Sequence, residues 1–293
     1  MPPHAHMSLL QMLLVRTLVA VFWKKPYTHP LVRWGTQLHD KFLLEYYVKE
    51  DMRDIVDFLN AEGYPFALDW FDPFFEFRFP LYGMATIEKM HLELRAAIEP
   101  WHVLGEESSS QGTSRYVDSS LERVQVKIKD FIPERYTLTC NGVVVPLSPT
   151  GAEGEFVAGV KYKAWQPWSA LHPTIGVDTP LTFDVVDRWN RHSIGGMRYF
   201  VAHPGGRNYD TFPVNSYEAE SRRINRFWDF NHSQGELRYL TPSVIQTSTA
   251  HVNTRATVMA LEGDPTKTLW VETLAPSLEY PHTLDLRRKG MKA

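Results

Sequence analysis

The stretch YTLTCNGVVV, residues 136–145, decides how the middle of this chain folds. Its first five residues alternate between apolar side chains and threonines, and Asn141 and Gly142 follow before a run of valines. Alternation with a period of two is typical of a strand that has one buried face. Asn-Gly between two such runs predicts a hairpin with a type I′ turn, because both residues tolerate positive φ.

The same alternation continues on both sides of this turn. Apolar residues recur at every second position in three further runs: Val124, Val126 and Ile128; Phe156, Ala158, Val160 and Tyr162; and Leu181, Phe183 and Val185. Short strands at this spacing, separated by turns, are typical of a small β-sandwich. We therefore predict an all-β, sandwich-like domain over residues 115–205.

Residues 1–114 mix helical and strand patterns. An apolar run over residues 9–23 predicts a buried helix, with Ser8 and Gln11 forming a capping box at its start. The run is shorter than the about 20 residues that span a bilayer, and no basic residue precedes it, so we expect no membrane partner. Residues 51–60 predict a second helix, and the polar stretch 105–112 predicts a mobile loop or linker.

The last part of the chain, residues 206–293, shows one helical pattern. Asn215 and Glu218 predict a helix start, and the helix is expected to end near Trp228. The residues after His232 show little periodicity, and we expect them to form a tail that lies on the body. The predicted class is α+β: a helix and antiparallel-sheet region, then the sandwich-like domain, then a C-terminal helix with its tail.

Composition limits the functional classes. The chain has 293 residues, of which 43% are hydrophobic and 22% charged, so it can bury a core. Its formal net charge of -3 provides no basic surface for nucleic acid. A single cysteine, Cys140, excludes an internal disulfide and fits a cytoplasmic location. Cys140 has the strand position of an inward-facing, unreactive side chain.

Two Glu-x-Arg segments carry the clearest chemical signal. Residues 75–79 read Phe-Glu-Phe-Arg-Phe and residues 92–96 read Leu-Glu-Leu-Arg-Ala, and both alternate as strands do. An antiparallel pairing in which residue numbers sum to 171 would place all four charged side chains on one face: Glu76 opposite Arg95, and Arg78 opposite Glu93. Carboxylates suit Mg²⁺ and arginines suit phosphate, although a cross-strand salt-bridge ladder would explain the same pattern.

Longer motifs carry a family resemblance. They are MPPHAHMS (1–8), LVRWGTQLHD (31–40), FFEFRFP (74–80), LRAAIEPWHVLGEE (94–107), AHPGGR (202–207) and YPHTLDLRR (280–288). Together they resemble the C-terminal region of large bacterial proteins that begin with a transglutaminase-like domain. The region is proposed to be an amidoligase of the glutamine-synthetase-like fold.

The resemblance implies a fold, a reaction and site residues. Residues 1–114 would form part of the ligase core, and the whole protein would use ATP and Mg²⁺ to join a carboxylate of a peptide-like substrate or amino acid to an amine. The chain would then need N-terminal transglutaminase-like and ligase-core domains as partners, and we expect it to be inactive alone. The site residues expected on this basis are Arg78, Arg95, Glu99 and His102 for catalysis, Arg78 and Arg95 for nucleotide, and Glu76 and Glu93 for metal.

Two other interpretations of the sequence stay open. The β domain could be a non-catalytic docking module that uses Trp165, Trp168 or Trp189 as aromatic anchors. Alternatively, the chain could be a truncated product in which the apolar helix of residues 8–23 has lost its neighbours and is partly exposed.

Overall fold

A computed structural model describes residues 4–100, 102–110, 112–118, 120–166, 176–201, 226–239, 268–275 and 277–289. Its helices are α1 (Ala5–Lys24), α2 (Glu45–Ala61) and α3 (Asp72–Arg78), with short 3₁₀ helices at Gly35–His39, Lys41–Leu43, Leu68–Phe71 and Leu286–Arg288. Its strands are β1 (Leu81–Ile87), β2 (Met90–Ala97), β3 (His102–Ser109), β4 (Gly112–Asp118), β5 (Leu121–Lys129), β6 (Tyr136–Cys140), β7 (Val143–Val144), β8 (Ser148–Pro149), β9 (Phe156–Lys163), β10 (Leu181–Asp187), β11 (His192–Val201), β12 (Arg226–Asp229), β13 (Glu236–Tyr239), β14 (Thr268–Val271) and β15 (Thr283–Asp285). The predicted α+β class is confirmed.

The strands form three sheets. The first has the order β1-β2-β5-β9-β15, with β8 also paired to β9, and the second has the order β14-β13-β11-β10-β6-β7, with β12 paired to β11. The third is the hairpin β3-β4. The first sheet joins β1 and β2, which precede residue 114, with β5 and β9, which follow it, and with β15 from the C-terminal part. The division of the chain at residues 114 and 205 stays a prediction.

The first two sheets share one apolar core. The alternating rows expected from the sequence lie in this core, and the side chains from both sheets are fully buried: Leu94, Val124, Val126 and Val160 from the first, and Leu138, Cys140, Phe183 and Val185 from the second. Strand alternation places one face of each sheet inward, so the other face of the first sheet is left to polar residues.

The predicted hairpin at Asn141-Gly142 is confirmed. Asn141 has a φ of 49° and Gly142 a φ of 76°, and the turn connects β6 to β7. A Cβ on Gly142 would lie 2.7 Å from the carbonyl oxygen of Trp270. Glycine is therefore needed here both for its positive φ and for the close approach of the β14 backbone.

Helix α1 differs from the expectation in its start and its burial. It begins at Ala5 after His4, so Ser8 lies inside the first turn and the capping box with Gln11 does not form. Most of its apolar side chains are exposed, by 54–86% for Leu9, Met12, Val15, Val19 and Trp23. By length and composition α1 could cross a membrane, and only 22% of its most apolar window is buried. The expectation of a buried helix is therefore wrong.

Residues 75–78 lie in helix α3, which corrects the strand prediction for the first Glu-x-Arg segment. Helix α3 begins at Asp72 with Pro73 in its first turn, where a missing backbone N–H costs nothing. Phe71, Phe75 and Phe79 are spaced four residues apart and are all buried in a second core with α1 and α2. The pairing of residues 75–79 with 92–96 does not occur.

The second Glu-x-Arg segment is a strand, as predicted, but it has other neighbours. It lies in β2, between β1 and β5, with Met84 opposite Glu93 on one side and Lys127 opposite Glu93 on the other. Leu94, the apolar residue between the two charged ones, is buried in the core. The segment therefore presents Glu93 and Arg95 on the polar face of the first sheet.

Other expectations at the surface also change. Residues 105–112 were expected to form a mobile loop or linker, but residues 105–109 lie in β3 and Gly112 begins β4. The described segments of the C-terminal part include three strands, β13, β14 and β15, which are paired within the two larger sheets and do not form a tail. Residues 202–225, which include most of the predicted helix from Asn215, lie outside the described residues, and Arg226–Asp229 is a strand.

A buried carboxylate at the end of β10 predicts a pH dependence of stability. Burial acts to raise the pKa of Asp187, but hydrogen bonds from Arg135, Asn190 and Trp189 outweigh it and lower this pKa to about 2. A carboxylate with a lowered folded-state pKa stabilises the fold above its unfolded pKa of 3.8, and this contribution is lost as the pH falls toward 2. We expect Asp187→Asn to lower the melting temperature at pH 6 much more than at pH 2.5. An equal decrease at both pH values would contradict this assignment.

Candidate functional site

The outer face of the first sheet carries a continuous set of charged and polar side chains. Residues paired across strands point to the same side, and the pairs Glu93–Lys127, Arg95–Gln125 and Arg123–Lys161 all lie on this face. Helix α2 packs over the face at its start, where the backbone N–H of Tyr46 donates to Oε1 of Gln125 at 2.9 Å. We refer to this surface as the polar face.

An open cleft lies between the polar face and α2. Its volume is about 550 Å³. Strands β2 and β5, helix α2 and the loop before β9 contribute its lining, which consists of Glu45, Tyr46, Lys49, Glu50, Arg53, Glu93, Arg95, Lys127, Thr150, Gly151, Ala152 and Glu155. Charged groups of both signs thus face one concave surface, which we call the charged cleft.

Arg95 is the most constrained of these charged residues. Its Nε donates to Oε1 of Glu93 at 2.8 Å, and its Nη1 donates to Oε1 of Glu76 at 2.8 Å and to the Phe79 carbonyl at 3.2 Å. Burial opposes its charge, but the hydrogen bonds and charges of Glu93 and Glu76 outweigh burial and raise the pKa of Arg95. The guanidinium is therefore fixed in place and permanently charged at the edge of the charged cleft.

A second ionic group in the lining of the charged cleft is centred on Glu155. Glu155 accepts from Lys127 at 3.0 Å and from Lys129 at 3.3 Å. Burial alone would raise the pKa of Glu155, but the two lysines and the hydroxyl of Thr150 lower it below its usual value. Glu155 therefore stays ionised and holds Lys127 in the charged cleft.

Helix α2 supplies lining residues that the motif analysis of the sequence did not identify. Lys49 pairs with Asp72 at 2.9 Å, and Arg53 pairs with Glu50 at 2.7 Å. Glu45, Lys49 and Arg53 recur every four residues, so they lie on one side of the helix. In the sequence, this four-residue spacing is the signal that predicts a stripe of charged side chains along one side of α2.

The structure brings together three of the four charged residues of the two Glu-x-Arg segments. Glu76, Glu93 and Arg95 form one ionic cluster, which is built by helix α3 against strand β2 and not by two paired strands. Arg78 is exposed at the end of α3 and is not part of the lining of the charged cleft. The catalytic, nucleotide and metal roles expected for these residues stay predictions.

Glu99 lies away from the charged cleft, in a buried ionic network. Its side chain is 4% exposed, and its two oxygens accept from Nε of Arg123 at 2.8 Å and from Nζ of Lys161 at 2.7 Å. Nη1 of Arg123 also donates to the His39 carbonyl at 3.3 Å and to Oγ1 of Thr283 at 3.2 Å. This network connects strand β5 of the first sheet to His39, which precedes α2, and to Thr283 of β15. Its contacts therefore hold these parts of the fold together.

The remaining expected residues can be placed only in part. The backbone of His102 begins β3, and its side chain lies outside the described part of the chain. Among the described residues no group of three or more His, Cys, Asp or Glu side chains is arranged to hold a metal ion. Cys140 is fully buried, as expected from its strand position, and burial raises its pKa well above the usual value, so it is no reactive thiolate.

The family of the chain follows from comparison with known proteins. A family model described as "Putative amidoligase enzyme (DUF2126)" matches residues 1–287. No curated protein and no solved structure matches the chain. The family match includes α2, α3, the first sheet and every residue that lines the charged cleft. Because the match covers nearly all of the 293 residues, the chain belongs to this family of putative amidoligase enzymes.

Proposed function

We propose that the chain is the C-terminal portion of an ATP-dependent carboxylate–amine ligase with a glutamine-synthetase-like core, and that the charged cleft binds its charged substrates. The observation that carries this proposal is the position of Arg95. Two carboxylates hold it at the edge of an open, concave surface that is lined by charges of both signs. Membership of the amidoligase family supports the reaction class.

The proposed reaction needs both kinds of charge that the cleft contains. In this reaction class a phosphoryl group passes from ATP to a carboxylate, and an amine then displaces phosphate to form the amide. Arg95, Lys127, Lys49 and Arg53 would neutralise phosphate and carboxylate oxygens, because preorganised cations stabilise developing negative charge in a partly enclosed site. Glu45 and Glu50 would attract the ammonium group of the incoming amine.

The charge pattern also favours a class of substrate. A peptide-like molecule or a free amino acid carries a carboxylate and an ammonium group a few bonds apart. A cleft lined by both cations and anions matches such a pair of charges better than it matches a uniformly charged polymer. We therefore propose peptide-like or amino-acid substrates, as expected from the resemblance.

The acidic residues fit Mg²⁺ only together with a nucleotide. Mg²⁺ is usually bound by one or two carboxylates, with phosphate and water oxygens completing an octahedron. Glu76 and Glu93 supply two carboxylates, and both already bind Arg95 at 2.8 Å. These two residues would hold Mg²⁺ beside Arg95, where the metal would supply neutralisation of phosphate charge.

Binding of nucleotide to the isolated chain tests the proposal. We expect MgATP to bind in isothermal calorimetry, and Arg95→Ala to weaken this binding about 10–100-fold, because a hydrogen bond to a charged group contributes about 1.5–3 kcal/mol. Arg115→Ala is the matched control, since Arg115 is an exposed arginine that pairs with Glu106 on the separate β3–β4 hairpin. We expect this control to bind MgATP as the unmodified chain does.

Two results would contradict the proposal. One is the absence of any binding heat at millimolar MgATP, and the other is equal binding by Arg95→Ala and the unmodified chain. We expect the isolated chain to bind without completing the reaction, because the transglutaminase-like and ligase-core domains are proposed to complete the site. Turnover by the chain alone would overturn that part of the proposal.

A second candidate function is a docking module, which one aromatic side chain favours. Trp189 is 70% exposed, and the guanidinium of Arg135 lies 5.1 Å from its ring. Trp165 is half-buried against the core, and Trp168 lies outside the described residues. We expect Trp189→Ala to leave MgATP binding unchanged. We expect the same substitution to abolish binding of the chain to immobilised peptides or glycans, and unchanged binding would remove the hypothesis.

A further inference from the structure

Three polar side chains from distant parts of the chain meet beside the start of α2. Oγ of Ser148 lies 2.7 Å from Nδ1 of His282, and the hydroxyl of Tyr47 lies 3.2 Å from the same nitrogen. These residues are 101 and 134 positions apart in sequence (148 − 47 and 282 − 148), so the fold and not a local turn brings them together.

The fold holds each member of this cluster in place: Tyr47 lies in α2, and His282 directly precedes β15. Ser148 lies in β8, opposite Val157 of β9. The backbone N–H of His282 donates to Oδ2 of Asp40 at 3.0 Å, and the hydroxyl of the next residue, Thr283, donates to Oδ1 of Asp40 at 2.6 Å. Asp40 is buried, so it positions the backbone that carries the imidazole.

The hydrogen-bonding pattern matches that of a nucleophile and its base. For Nδ1 of His282 to accept from Ser148, the ring must be neutral, with its proton on Nε2. Burial lowers the pKa of His282; the charge of Asp40 opposes this effect and that of Lys41 adds to it. Burial raises the pKa of Tyr47, so its hydroxyl remains a donor. The neutral imidazole is thus free to accept the serine proton, which is the requirement for nucleophilic serine.

The cluster is accessible and lies next to the charged cleft. Ser148, Tyr47 and His282 are each partly exposed. Tyr46, the neighbour of Tyr47, lines the cleft, as does Thr150, two residues after Ser148. Among the described residues Nε2 of His282 has no hydrogen-bond partner, so its proton can be exchanged with solvent.

A second serine–histidine contact in the chain lacks these properties. Oγ of Ser193 lies 3.1 Å from Nδ1 of His232. However, Ser193 is buried, and its hydroxyl donates to Oδ1 of Asp184 at 3.2 Å, so its proton is directed away from the histidine. The contact at Ser193 is therefore buried and structural, whereas the contact at Ser148 is partly exposed.

We propose that Ser148 is a nucleophile toward small carboxylic esters, with His282 as its general base and Tyr47 as a donor to the oxyanion. Oγ of Ser148 bonds to the ester carbonyl carbon while its proton moves to Nδ1 of His282. The bond from carbon to the alcohol oxygen breaks, and the departing alcohol takes the proton from His282. Water then attacks the acyl-serine, His282 takes the proton of the water, and this proton returns to Ser148 as the acid leaves. The sum is ester plus water giving acid plus alcohol.

Labelling with a fluorophosphonate probe tests this proposal on the full chain. The probe phosphorus bonds to a nucleophilic serine with loss of fluoride, and we expect mass spectrometry to find one label per chain, on Ser148. Ser148→Ala should abolish the label, and His282→Ala should slow labelling at least 100-fold, with added imidazole restoring part of the rate. Tyr47→Phe should slow it about 100-fold, the usual effect of removing one oxyanion donor. Ser193→Ala is the matched control and should label at the unmodified rate.

The alternatives give different results. If the cluster is only structural, no label appears on Ser148, or His282→Ala labels Ser148 at the unmodified rate, and either result overturns the proposal. Circular dichroism of each variant identifies loss of fold. If His282 had only a structural role, added imidazole would not restore the labelling rate of His282→Ala. MgATP binding should be unchanged in Ser148→Ala, so failure of the ligase proposal and failure of this one are distinguishable.

Discussion

Replacing Glu99 by alanine is expected to lower the free energy of unfolding by about 3–5 kcal/mol, the usual effect of removing one partner of a buried ion pair. The reason is the charge left behind. Arg123, whose side chain is 4% exposed, would lose its carboxylate partner while remaining enclosed by the first sheet and β15. Lys161, which is 14% exposed, would lose the same partner. Urea unfolding measures this change as a lower midpoint.

An exposed ion pair provides the control for Glu99. Glu106 pairs with Arg115 at 2.8 Å, with both side chains at least half exposed, so Glu106→Ala should cost no more than about 1 kcal/mol. If Glu99→Ala had an effect as small as this control, the network would not be the structural link described above. Glu99 would then be available for the catalytic role that its position in the sequence motif suggests.

Replacing Phe183 by alanine is expected to destabilise the fold by a similar amount, about 3–5 kcal/mol. Phe183 lies in the middle of β10, where Cys140 is its neighbour on one strand and Met197 on the other. Its side chain is fully buried in the core that the two larger sheets share. Removing the ring loses its burial and leaves a cavity that surrounding strands fill only in part.

The control for Phe183 is a phenylalanine on the surface. Phe230 is 70% exposed, and Phe230→Ala should change stability by no more than about 0.5 kcal/mol. Both variants are measured by urea unfolding with the same probe. Equal, small effects would mean that the two sheets are not held together by this core, and would contradict the described packing.

The central strands were predictable because the same pattern recurs in several successive runs. The alternating rows that include Val124, Val160 and Phe183 have a period of two, which is typical of strands with one buried face. The turn at Asn141-Gly142 was also predictable, since few residue pairs accept positive φ at both positions. The third sheet was missed because β3 and β4 are exposed and polar, so no apolar period marks them.

The segment of residues 75–79 was mispredicted because its pattern has two explanations. Phenylalanines at positions 75, 77 and 79 alternate as in a strand, but Phe71, Phe75 and Phe79 also have helical spacing. The deciding signal is Asp72-Pro73, which is typical of the first turn of a helix. A short apolar segment with both periods has to be assigned from its ends.

The candidate site was partly predictable. Glu93 and Arg95 were identified correctly as outward residues of a strand, and their contact with Glu76 was anticipated with the wrong secondary structure for Glu76. The residues of α2 that line the charged cleft were not predicted. Their spacing indicates a charged side of the helix, but only tertiary packing determines which surface this side faces. The exposure of α1 was unpredictable for the same reason: an apolar sequence specifies what can be buried, while only the fold determines what covers it.

The placement of β15 has a consequence for how this protein is made. Strand β9 ends at Lys163 and its parallel neighbour β15 begins at Thr283, so about 120 residues (283 − 163) are synthesised between them. At a translation rate of about 5–20 residues per second, the growing polypeptide spends roughly 6–24 s with the Gly159–Lys161 part of this edge unpaired, while β8 already pairs with Phe156 and Val157 on the same edge. Nascent chains are therefore exposed to edge-to-edge association during this interval, and a chaperone that shields β9 would raise the yield of native protein.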